Sequence, residues 1–90
     1  MAIKDVSLAF KALSDPTRRE ILKKLRVKSM TPSQLSVHFP ISGPSLSHHL
    51  NALKTANLIT AEKQGQNIMY SINTTVFYDI INNFLEGFKN

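Results

Sequence analysis

The chain has 90 residues, 11 of them Lys or Arg and 6 Asp or Glu, with three histidines, no cysteine and a net charge of +5. A chain this short buries only about 60–65% of the surface that its unfolded form exposes, and without thiols neither a disulfide nor a thiolate metal site can reinforce that core. No apolar run approaches the roughly 20 residues of a membrane span, and MAIKDVSLAF lacks the apolar stretch of a secretory signal, so a soluble, cytoplasmic protein without membrane insertion is expected.

Ile3, Val6, Phe10 and Leu13 recur at helical spacing and predict a first helix over about residues 4–13. Ser14-Asp15-Pro16 then stops that helix and starts a second, because Asp15 can cap free amides and Pro16 suits a first turn. Ile21, Leu22 and Leu25 form the inward stripe of this second helix, which should end near Val27. Its other face carries Arg18, Arg19, Lys23, Lys24, Arg26 and Lys28 against Glu20 alone. Such a surface attracts polyanions, nucleic acid first and acidic membrane second, but the same residues also suit an ordinary solvated face.

Thr31-Pro32 repeats the start signal for a short third helix, anchored by Leu35 and Phe39 and ended by Pro40. Ser42 is an N-cap for a fourth helix with Pro44 in its first turn, and Leu46, Leu50 and Leu53 at i, i+4 and i+7 turn inward. This helix should end near Asn57. LITAEK and NIMYSI, separated by Gln64-Gly65-Gln66, read as a β-hairpin, after which Asn73 or Thr74 caps a fifth helix to about Phe88. The expected fold is mainly α with one small hairpin, in the order α-α-α-α-β-β-α, as one domain over residues 1–90. The third helix, a short turn, the fourth helix and the hairpin have the layout of a winged helix-turn-helix, in which the second helix of the pair enters the DNA major groove.

The run SGPSLSHHLNALK places two adjacent histidines on the fourth helix. Each residue turns about 100° around a helix, so with the leucines inward His48 points out and His49 falls at the flank of the buried stripe. Neighbours at i and i+1 diverge too far to share a metal, and His38 has no carboxylate or histidine partner in sequence. Groove contact suits His48, while His49 reads equally as a half-buried flank residue or a DNA contact. An enzyme finds little support: there is no Gly-rich phosphate loop, no HExxH and no nucleophile elbow, so no catalytic residue is assigned.

ALSDPTRREIL, SGPSLSHHLNALKTANLI and KQGQNIMYSIN, in this order, resemble the ArsR/SmtB family of bacterial winged-helix transcriptional repressors, over about Phe10 to Asn73. NTTVFYDIINNFLEGF is similar to the cysteine-free SdpR-type autorepressor branch, a likeness resting on that one helix. The resemblance implies a homodimer that represses transcription from a partly palindromic double-stranded DNA operator. Where many members carry a cysteine motif, TPSQLSVHF has Thr31 in its place. The last helix, another metal position of the family, offers only Asp79 and Glu86. Neither a metal nor a cofactor is therefore expected.

On the DNA side the resemblance implicates Ser42, Gly43, Ser45, Ser47 and His48, groups that can reach phosphates or base edges. The only cation on that helix is Lys54, so phosphate contacts by Thr31, Ser33, Lys54, Arg18 and the hairpin residues Lys63, Gln64 and Gln66 should supply more of the affinity. Tyr70 reads as packing rather than contact. For dimerisation, the last helix has a stripe broader than one small domain needs, including Phe77, Ile80, Ile81, Phe84 and Phe88, and Ile3, Val6 and Phe10 supply a second strip. Together they suggest a helical dimer interface; the alternative is that both strips simply close the core. Two other functional readings stay open: a metal- or ligand-responsive repressor, and a repressor sequestered by a regulatory protein partner.

Overall fold

The structure, a computed structural model, describes residues 6–89. The elements are α1 (Val6–Leu13), α2 (Pro16–Val27), α3 (Pro32–Ser36), α4 (Gly43–Thr55), β1 (Ile59–Gln64), β2 (Asn67–Ile72) and α5 (Thr74–Glu86), in the order expected from sequence. Ile3 lies outside the described residues.

Local signals start four of the helices. The Arg18 amide donates to Asp15 Oδ1 at 3.1 Å ahead of α2. Thr31 and Gln34 form a reciprocal capping box at α3, with the Gln34 amide donating to Thr31 Oγ1 and the Thr31 amide to Gln34 Oε1. The Ser45 amide donates to Ser42 Oγ at 3.2 Å and the Val76 amide to Asn73 Oδ1 at 3.3 Å, so Asn73, not Thr74, is the cap of α5. Each such bond satisfies an amide that the first helical turn leaves without an intrahelical partner.

α4 ends two residues before Asn57. Asn57 takes a left-handed φ of 62°, which Asn tolerates better than most residues. Its amide donates to the Lys54 carbonyl and the Leu58 amide to the Leu53 carbonyl, a Schellman closure in which Leu53 and Leu58 are both fully buried. That closure turns the chain from α4 directly into β1. α3 is shorter than expected, ending at Ser36. Phe39 precedes Pro40, whose ring disfavours helical backbone at the residue before it, and the chain leaves through the tighter bonds from His38 to Leu35 and Phe39 to Ser36. Phe39 still packs against the core from this turn.

The strands pair antiparallel from Ile59↔Ile72 to Gln64↔Asn67. The connection is therefore two residues, Gly65-Gln66, one fewer than the sequence suggests, and Gly65 supplies the positive φ (63°) needed at the first turn position. A contact absent from the sequence reading staples this hairpin to the helices. Met30 and Tyr70 exchange both backbone hydrogen bonds (3.0 and 2.8 Å), and Ser29 Oγ and Ser71 Oγ share another at 2.6 Å. The segment between α2 and α3 thus pairs with β2.

The core gathers Ile21 and Leu25 of α2, Leu35 of α3, the α4 leucines, Leu58, Ile59 and, from α5, Val76 and Ile80. From α1 it takes Ala9 and Ala12, small residues that let the helix approach closely. One expectation needs correction here. Ile80, placed above with the dimer strip, is 1% exposed and belongs to the protomer's own core, because α5 lies against the body along its Val76–Ile80 edge. Phe77 also packs against that core. Beyond Ile80 the helix buries nothing fully: Phe84, Leu85 and Phe88 are 46%, 55% and 74% exposed. The Phe84 ring meets Phe10 of α1 edge-on at 4.9 Å and Phe88 at 5.0 Å, so the two terminal strips merge into one exposed aromatic patch.

Candidate nucleic-acid interface

Packing α4 by its leucines leaves the opposite face to solvent. There Pro44, Ser47, His48, Asn51 and Lys54, together with Tyr70 from β2, line an open cleft of about 420 Å³. Ser47, Asn51 and Lys54 stand at i, i+4 and i+7, each one residue after a core leucine, so hydroxyl, amide and ammonium form one exposed polar row about 100° around the helix from the buried stripe. All three are donors in reach of solvent, and the amide and hydroxyl also accept.

The predicted residues distribute unevenly over this surface. Ser47, His48 and Lys54 come together in the cleft. Ser42 and Ser45 sit at the exposed N-terminus of α4, where Ser42 Oγ donates to Ser45 Oγ at 3.1 Å while accepting the Ser45 amide. Gly43 beside them has open space around the position of a Cβ. Thr31 is held in its capping box, and Ser33 lines a separate hollow of about 430 Å³ with Lys28, Gln34 and His38. Lys63, Gln64 and Gln66 are exposed at the hairpin tip, with the Gln64 amide 3.3 Å from Glu62 Oε1.

Arg18 is placed differently from the sequence expectation. Its Nε donates to the Ala12 carbonyl at 2.8 Å and its Nη2 to the Lys11 carbonyl at 3.3 Å, so the guanidinium caps the C-terminus of α1 instead of standing free for phosphate. Arg19 Nη1 does the same for the Leu13 carbonyl at 2.7 Å. The Ser14-Asp15-Pro16 corner folds the start of α2 back on the end of α1, where cations complement the helix dipole.

The histidines part company as their spacing requires. His48 is exposed in the cleft, and His49 is half-buried with its Nδ1 buried and without a hydrogen-bond partner among the described residues. Their rings are 5.9 Å apart and tilted by 59°. His49 lies near enough to Asp15 to act on it electrostatically. The Arg18 amide, above all, holds the Asp15 carboxyl below its usual value against the opposing effect of burial, and the charge of His49 adds to the lowering. Among the described residues no three His, Cys, Asp or Glu side chains come together to hold a metal, and no helix is long and apolar enough to cross a membrane.

Two cleft residues were missed. Asn51 had a signal in the sequence, since it is four residues after Ser47 and three before Lys54, on a row turned about 100° from the leucines. Tyr70, read as packing, does pack against the core but also forms a wall of the cleft, which depends on the hairpin folding back beside α4.

Residues 15–61 match the profile of the arsR family of bacterial regulatory proteins. The chain is 56% identical to the transcriptional repressor SdpR of Bacillus subtilis over 73 residues, 81% of either chain. It is 41% identical to the arsenical resistance operon repressor of Staphylococcus xylosus, over 96% of this chain and 82% of that one. Among solved structures, an ArsR-like transcriptional regulator from Rhodococcus sp. RHA1 superposes with a TM-score of 0.83 at 31% identity, covering 90% of this chain and 76% of the other.

Proposed function

The chain belongs to the ArsR family of winged helix-turn-helix transcriptional regulators, and from that premise we propose that it is a homodimeric cytoplasmic repressor that binds a partly palindromic operator without metal control. The observation that carries the reading is the polar face of α4. It leaves side chains suited to base edges and phosphates on the one helix whose other side is anchored by three fully buried leucines. Ser42, Gly43, Ser45, Ser47, His48, Asn51 and Lys54 meet the groove, while Lys63, Gln64 and Gln66 of the hairpin and Thr31 and Ser33 of α3 meet the backbone.

The second copy docks on the aromatic patch of Phe10, Phe84 and Phe88, with the exposed Leu85 next to Phe84 on α5. Exposed apolar surface of this kind, continuous across both terminal helices, is what an interface between small domains requires. Val6 and Ile81, both half-buried, border it. Metal independence is supported by the lack of any cysteine and, among the described residues, by the scatter of the histidines and carboxylates.

Footprinting of the DNA upstream of the protein's own gene tests the whole reading. Two protected half-sites with centres about one helical turn apart (roughly 34 Å) are expected. Protection of a single half-site would overturn the dimer, and sequence-independent protection would overturn the operator.

A further inference from the structure

A third concavity lies at the edge of the core, between α2, the end of β2 and the start of α5. It measures about 460 Å³, within the roughly 300–1,000 Å³ of small-molecule sites. Its floor is apolar: Leu13, Leu22, Ile72, Phe77 and the ring of Tyr78. Its rim is cationic, because Arg19, Lys23 and Arg26 stand at i, i+4 and i+7 on one face of α2, and no carboxylate lines it.

The three cations are not equally engaged. Arg19 holds the Leu13 carbonyl, and Lys23 pairs with Glu20 at 2.9 Å on the exposed surface. Arg26 has no ion pair among the described residues. The run of positive charge on α2 is therefore not simply a solvated face or part of the α4 cleft. Half of it edges an apolar groove. An occupant that matches this groove must be apolar along its body and negative at one end. A neutral hydrocarbon would leave the guanidinium unanswered, and a polyanion would leave the floor wet.

We propose that this groove binds an anionic amphiphile, a carboxylate on an apolar chain of about ten carbons, with the chain over Leu22, Ile72 and Phe77 and the carboxylate at Arg26. Binding is read without DNA, so the site stands or fails separately from the operator reading.

Sodium decanoate titrated calorimetrically into the full chain, below its micelle-forming concentration, should give saturable binding at one site per chain. Decan-1-ol should bind about tenfold more weakly for want of the charged hydrogen bond, and decyltrimethylammonium more weakly still. Arg26→Gln and Arg26→Glu should weaken decanoate by about tenfold or more while leaving the unfolding midpoint unchanged. Thr74→Trp, at an exposed position on the groove wall, should block it. No saturable heat, equal binding of decanoate and decanol, or unaltered binding by the Arg26 variants would each overturn the proposal. Binding by a monomeric Phe84→Asp chain but not by the dimer would also overturn it, and would give the groove to the second copy.

Discussion

Phe84 and Ile80 lie one turn apart on α5 and should answer substitution in opposite ways. Phe84 is 46% exposed and its ring contacts within the protomer are the edge-on pairs with Phe10 and Phe88. Losing two such pairs costs about 1–3 kcal/mol at the usual 0.5–1.5 each, less here because the ring is already half in water. The Phe84→Asp protomer should therefore stay folded. In the dimer the same carboxylate is buried against a second apolar patch without a partner, at a cost of several kcal/mol, so the dimer should dissociate. A monomer keeps one reading helix and about half the phosphate contacts. Operator affinity should fall by orders of magnitude, and the slope of log affinity against log salt should roughly halve. Ile80→Ala, at a site 1% exposed, should instead cost about 2–5 kcal/mol of protomer stability through the cavity it leaves. Sedimentation gives the mass, thermal unfolding the stability, and operator binding at two salt concentrations the slope. A Phe84→Asp chain that remains a folded dimer with unchanged operator affinity would refute the terminal-patch interface.

In the α4 cleft, His48→Ala and Asn51→Ala should each weaken operator binding by about 1–3 kcal/mol with the fold intact, as read by fluorescence anisotropy; wild-type affinity in both would show that the reading face lies elsewhere. Added zinc or a chelator should leave operator affinity unchanged, and a tenfold shift either way would point to a site assembled from both protomers. Asp15→Asn should keep the cap, since the amide oxygen can accept the Arg18 amide, but alter the acid limb of stability. The folded-state pKa of Asp15 is depressed, so its stabilising contribution is present above the unfolded value and lost as pH falls through the folded one. Acid titration of unfolding should thus be shallower in Asp15→Asn than in the parent below the ordinary carboxylate range, and identical curves would exclude the cap as a titrating contact.

The sequence by itself determined whatever is decided within a turn or two of chain. Asp15, Thr31, Ser42 and Asn73 start helices because a side-chain oxygen three residues ahead of an unpaired amide needs no other part of the fold to reach it. The leucines of α4 fix that helix's inward face by spacing alone, and with it the outward direction of His48 and the flank position of His49; Asn51 was equally legible. The three-dimensional structure decided which of two apolar residues on one helix is core and which is surface. Both Ile80 and Phe84 satisfy the α5 stripe, yet α5 runs past the edge of the body after Ile80, and no local pattern records where a neighbour ends. It also decided the fate of Arg18, turned onto α1 carbonyls by the corner at Pro16, and of Tyr70, brought beside α4 by its pairing with Met30. That pairing joins segments on opposite sides of α3, α4 and β1, with the adjoining Ser29 and Ser71 hydroxyls 42 residues apart. A contact over such a separation is stabilised only once the intervening chain has packed, so no short stretch of sequence contains it.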